Sequence, residues 1–295
     1  MDRKHSEEWH SRLARTVNSA VCFSLAYVVL TYLLWFVMGL TGRLYKFDSF
    51  IYYYGIKFIL NSNTWNVSKV AIVFSSGPFF VLLLGLLGLF LFMRMKEIRT
   101  MLNVLFAWTF IIGVSIFISQ FVIAALGIYS YNSLYYQGLA VSFAWLKVPV
   151  FLIYLLNALL IIPIIYLGVN CSRLFLVFSY SYAKVNNLSG RRKYFFEIAV
   201  APFIVGSLVT IVAVFPKELS AKGILILLAS THIIYLAVIG MILGIGWLSL
   251  SYIEIVKQEL VRYKSLQALN IVFIIFMLLS WAFISITFRG VYISA

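Results

Sequence analysis

The chain has 295 residues, 63% of them hydrophobic, 18% aromatic and only 11% charged, with a mean hydropathy of +1.02. Soluble domains carry about a quarter charged residues, so this chain cannot clothe a globular surface with polar groups, and lipid must form part of its solvent. The net charge of +14 does not mark a nucleic-acid binder, because the cations flank apolar runs instead of gathering on one soluble face.

Residues 1–17, opening "MDRKHSEEWHSRLART", form a polar tail with no cleavable leader, since the apolar run that follows is too long for a signal core. Seven segments then meet the requirement of about 20 mostly apolar residues for a spanning helix. They lie at roughly 18–40, 70–93, 102–127, 148–170, 195–215, 223–249 and 268–288. Backbone groups in hydrocarbon must bond within their own segment, and the runs do not alternate as barrel strands would. The predicted class is therefore an all-α polytopic membrane protein of seven spans with no soluble domain.

The tail and the second, fourth and sixth loops hold fifteen basic residues, the opposite side eight. The positive-inside rule then places the tail in the cytoplasm and residues 289–295 outside. A cytoplasmic N-terminus argues against a receptor of the rhodopsin plan, and a last span without lysine argues against a retinal protein. The basic loops are suited to anionic headgroups on the cytoplasmic side. Loop 41–69, "TGRLYKFDSFIYYYGIKFILNSNTWNVSK", and loop 128–147, "IYSYNSLYYQGLAVSFAWLK", read as aromatic segments lying along the outer membrane surface. Abundant Ile, Phe, Tyr, Lys and Asn suggest a bacterial inner membrane.

Chemistry-bearing groups are scarce. Cys22 and Cys171 fall in the cytoplasmic half of the bilayer and read as small buried hydrophobes. His5 and His10 are in the tail; His232 alone lies within a span. No metal, phosphate-loop or nucleophile motif occurs, so no metal, cofactor or catalytic residue is expected. Four polar residues stand out at membrane depth. His232 is a candidate proton acceptor or ligand contact, or a neutral ring bonded to a neighbouring helix. Glu197 sits four residues after Lys193, the spacing of an ion pair on one helix face, with a buried relay as the alternative. Gln120 and Asn157 suit interhelical hydrogen bonds. Small residues make seams: Gly77, Gly85 and Gly88; Gly113, Ala124 and Gly127, on one side with Gln120; Ala237, Gly240 and Gly244.

Three prolines interrupt spans: Pro78 after Gly77, Pro163 and Pro202. Setting the first span aside leaves two triplets of opposite sense, with Pro78 and Pro202 at matching places. Interrupted helices at matching places in inverted halves point to a transporter site. "FSSGPFFVLLLG" at 74–85 and "LNALLIIPIIYLG" at 156–168 also resemble segments of site-2 protease membrane cores, with Asn157, Pro163 and Gly168 matching by type and order. The first span lacks that family's paired metal histidines and glutamate, and Tyr166 stands near the place of its ligand aspartate. The resemblance therefore implies a metal-free relative that keeps a fold without the chemistry. The leading expectation is a non-catalytic subunit or scaffold of a larger assembly with other membrane proteins. The alternative is an inverted-repeat transporter or channel for an uncharged or lipid-like substrate.

Overall fold

A computed structural model describes residues 3–52, 55–59, 65–95, 100–127, 137–179, 181–213, 231–253, 269–287 and 290–294. The first span is the middle of a 42-residue helix, α1, Arg3–Leu44. It is followed by β1 Ser49–Tyr52, β2 Gly55–Phe58, α2 Val67–Met95 and α3 Thr100–Gly127. Next come α4 Leu139–Trp145, α5 Val150–Leu159, α6 Ile161–Leu176, a short 3-10 turn at Tyr182–Lys184, and α7 Leu188–Phe195. A π-helical turn, Phe196–Val200, leads into α8 Ala201–Ala213; α9 His232–Ser249, α10 Ile271–Thr287 and β3 Val291–Ile293 complete the order. The chain is thus a polytopic α-helical membrane protein. Among the described residues six helices are long and apolar enough to cross a bilayer, α5 with α6 and α7 with α8 each counting as one. The seventh predicted span corresponds to α10, which is 17 residues long. The start of the predicted sixth span, before residue 231, and the basic residues of the sixth loop lie outside the described residues.

α1 is the axis of the bundle. It packs against α2, α3, α8, the π turn and α10, and its side chains Cys22, Phe23, Tyr27, Leu34, Trp35 and Met38 are buried. Cys171 is buried as well, and both thiols are free. The predicted seams of the second and third spans close inside the protein. A Cβ on Gly113 would stand 2.8 Å from Gly85 Cα and 2.9 Å from Val81 O. Such backbone proximity supplies dispersion where no hydrophobic force separates helix from lipid. The fourth span is peripheral: only 6% of its apolar stretch is buried within the protein, against 72% for α3.

The aromatic loop 41–69 contains paired strands that its composition does not announce. Residues 49–58 pair as an antiparallel hairpin, Ser49 opposite Phe58 and Tyr52 opposite Gly55. β3 pairs on the other edge of β1, Ser49 opposite Ile293 and Ile51 opposite Val291. This three-stranded sheet caps the C-terminal end of α1. A Cβ on Gly39 would meet Ile51 Cδ1 at 2.6 Å, and one on Gly42 would meet the Phe58 ring at 2.5 Å. Ile51 is fully buried, which ties the hairpin to the end of α1. Trp65 stacks on Phe47 with centroids 3.8 Å apart, so the rings serve each other. In the second aromatic loop, residues 128–136 lie outside the described residues; α4 tucks in beside α2, with Ser142 Oγ 3.1 Å from Ser75 Oγ.

Residues 291–293 share the sheet with the loop after α1, while Arg12 and Arg15 meet Glu197 at the opposite end. Asn270 N–H donates to Asn18 Oδ1 at 3.0 Å, so α10 starts near the basic end and runs parallel to α1 toward the sheet.

Candidate functional site

The prolines come first, because they carried the transporter expectation. Pro78 sits inside an uninterrupted α2, and the residue before it explains the place. A Cβ on Gly77 would lie 2.2 Å from Leu34 O and 2.8 Å from Met38 Cγ, so Gly77 is where α2 touches the backbone of α1. Pro202 differs. Ala201 N–H reaches back five residues to Phe196 O, and Pro202 has no N–H to give. The carbonyls of Glu197 and Ile198 receive hydroxyls from α1 instead: Thr16 Oγ1 donates to Glu197 O at 3.0 Å, and Ser19 Oγ to Ile198 O at 2.6 Å. Trp108 Nε1 in turn donates to Ser19 Oγ at 2.9 Å. Pro163 follows a break at Leu160, where α5 ends and α6 begins, and its missing donor is one that a first helical turn leaves unbonded anyway. Pro78 and Pro202 both lie on helices packed against α1; the span set aside in the comparison of halves fills the space beside them.

Glu197 is bound across helices, and this corrects the expected partner. Its Oε2 accepts from Arg15 Nη2 at 2.7 Å, and Arg12 Nε lies 3.6 Å from Oε1. Lys193 is not the partner, because the π turn beginning at Phe196 changes the helical register between them. Arg15 is 2% exposed and also stands over the Tyr194 ring, 5.7 Å from its centroid.

The deepest polar cluster surrounds His232. Thr231 and His232 open α9, and both are buried. His232 Nδ1 lies 2.8 Å from Tyr27 Oη, a hydrogen bond whose direction the ring tautomer sets. One turn on, Tyr235 Oη accepts from Gln120 Nε2 at 2.7 Å. Gln120 Oε1 is buried without a partner among the described residues. Gly138, at φ +55°, has no room for a Cβ, which would fall 2.0 Å from that oxygen. Asn157 acts elsewhere, donating through Nδ2 to Phe121 O at 3.0 Å and Ile153 O at 2.9 Å, so it ties the fourth span to α3. His232 and Gln120 thus belong to one cluster, Glu197 to a second at the basic end, and Asn157 to neither. Tyr27, Tyr235, Arg15, Thr16 and Ser19 were not foreseen as partners. A periodicity search of α1 could have found the last three: Arg12, Arg15, Thr16 and Ser19 recur at helical spacing along a mostly apolar helix.

The cluster around His232 couples three helices and, among the described residues, holds no carboxylate or cysteine. His232→Ala is expected to lower stability by about 1 kcal/mol, the worth of a hydrogen bond between membrane helices. Unfolding in mixed micelles measures this, and a loss above about 3 kcal/mol would show the ring to be more than a bonded neighbour.

Comparison of the chain with family models, with curated proteins and with solved structures gave no match.

Proposed function

We propose that the chain is a non-catalytic subunit of a larger membrane assembly, and that α9 offers the seat for one transmembrane helix of a different membrane protein. The observation that carries this reading is the third small-residue seam. It was expected to pack within the bundle, as the other two do, but α9 turns its other face inward. Tyr235, Val238, Ile239, Ile242 and Gly246 are buried, and Ala237 and Gly244 are exposed. A Cβ on Gly244 would meet nothing within 4 Å, and one on Gly240 only the Phe203 ring at 3.7 Å.

The two glycines floor a lateral groove of about 580 Å³ walled by Phe196, Phe203, Leu243 and Trp247. Elsewhere in this chain a glycine seam receives a helix backbone: Gly77 takes α1, Gly85 takes α3, and Gly246 takes α6 at Gly168 O. The same device at Gly240 and Gly244 suits a helix supplied by another chain. The basic excess at the Arg15 end orients that end toward the cytoplasm, and the composition fits a bacterial inner membrane.

The test is Gly240→Leu with Gly244→Leu in the full chain, purified in mild detergent. The native chain should retain a membrane partner that cross-links to α9 from position 244. The variant should lose that partner, keep its own melting temperature and elute alone. A native chain that is monomeric in every mild detergent, a cross-link only to a second copy, or a variant that keeps its partner would each overturn the reading.

A further inference from the structure

At the basic end, α1, the 3-10 turn and the start of α7 enclose a cleft of about 290 Å³. Arg12, Arg15, Lys184 and Lys193 line it, with Glu197 as the sole carboxylate among the described lining residues. That volume is at the small end of the range of about 300–1,000 Å³ for small-molecule sites, and it suits a headgroup more than a metabolite.

Arg15 is the decisive residue. It is 2% exposed, and Glu197 occupies only its Nη2. Nε and Nη1 have no hydrogen-bond partner among the described residues. Among the described residues this buried guanidinium is under-satisfied, with two idle donors. The start of α7 adds donors. Asn187 Oδ1 accepts from Gly190 N–H at 2.7 Å, and Asn187 O accepts from Arg191 N–H at 3.0 Å. The N–H groups of Leu188 and Ser189 remain at the helix N-terminus, where the dipole favours an anion. Gly190 makes the geometry possible: a Cβ there would lie 2.2 Å from Lys184 O, so only glycine lets the turn bearing Lys184 cross so close to the start of α7. A forked guanidinium, two ammonium groups and free helix N–H groups are matched by a tetrahedral oxyanion.

We propose that this cleft binds a phosphate group, with Lys184 and Lys193 holding the rim and the buried Arg15 guanidinium adding fixed positive charge from the cleft wall. Two sources carry that chemistry, a phospholipid headgroup of the adjoining leaflet and free inorganic phosphate. The site stands apart from the α9 groove and does not depend on it.

The experiment uses the full chain, delipidated in a neutral detergent. Inorganic phosphate is titrated in one arm, phosphatidylglycerol in mixed micelles in a second, and a monoacylglycerol, which carries no phosphate, in a third. Melting temperature and native mass spectrometry read the binding. Removing Arg15 would strand Glu197, so the variant is Lys184→Gln with Lys193→Gln, both outside the buried core. Each lysine is expected to contribute about five-fold, and the double variant should bind about 25-fold more weakly. Saturation by phosphatidylglycerol alone assigns the headgroup, saturation by phosphate alone assigns the soluble anion, and saturation by both supports the shared chemistry. Failure of both arms, equal binding by the double variant, or equal binding of the monoacylglycerol would overturn the proposal.

Discussion

Glu197→Ala is expected to destabilise the folded protein by about 3–5 kcal/mol, the loss seen when one member of a buried ion pair is removed. The size follows from Arg15 rather than from the carboxylate. Glu197 is 13% exposed and could rejoin water readily; Arg15, at 2%, could not. Without Glu197 the guanidinium stays buried with all its polar donors idle, since Nε and Nη1 already lack partners. Removing both charges should cost far less, because a well-packed apolar pair often replaces a buried ion pair without loss. Arg15→Met with Glu197→Leu should therefore recover most of the stability that Glu197→Ala loses. Equilibrium unfolding in mixed micelles gives both values. A single-variant loss below about 1 kcal/mol, the range of exposed pairs, would mean that water reaches the pair.

Gly77→Ala is the second large effect. Added bulk in a closed contact costs about 1–3 kcal/mol, occasionally more, and this position belongs at the upper end. The obstructing atom is the Leu34 carbonyl oxygen, 2.2 Å from the site of the new carbon, and a helix backbone cannot rotate aside as a side chain can. Gly244→Ala is the matched contrast. It meets open space, and it exchanges a poor helix former for a good one, a gain of up to about 1 kcal/mol. The two variants make the same chemical change on two membrane helices, and their melting temperatures should move in opposite directions. If they move together, close backbone approach is not what holds α2 against α1.

Much of the fold was legible from the apolar runs, because length and charge exclusion are what a bilayer demands of a segment. The runs located α2 and α3 to within a few residues. They missed the hairpin at 49–58, whose strands are held by partners at 291–293 and by Gly39 and Gly42 of α1. No local pattern announces so distant a pairing. The His232 cluster was half legible: a histidine at membrane depth draws attention by type, but Tyr27 is 205 positions away. Glu197 was recognised and given the wrong partner, since the i, i+4 rule presumes an α register that the π turn does not keep. The glycine seams were all visible in the sequence. Which of them close within the chain depends on how α9 is rotated, and an apolar helix carries little signal for its own rotation when every neighbour, lipid or protein, is equally oily.

The central place of α1 has a consequence for biosynthesis. This helix is made before the helices it pairs with: Arg15 waits for a carboxylate 182 positions downstream, and Asn18 for a backbone donor 252 positions downstream. During translation it must be tolerated in lipid with those groups unanswered, or be shielded until the later helices arrive. Later helices thus close back onto an earlier one, and a ribosome stalled before residue 197 would leave a nascent chain whose Arg15 lacks its carboxylate partner.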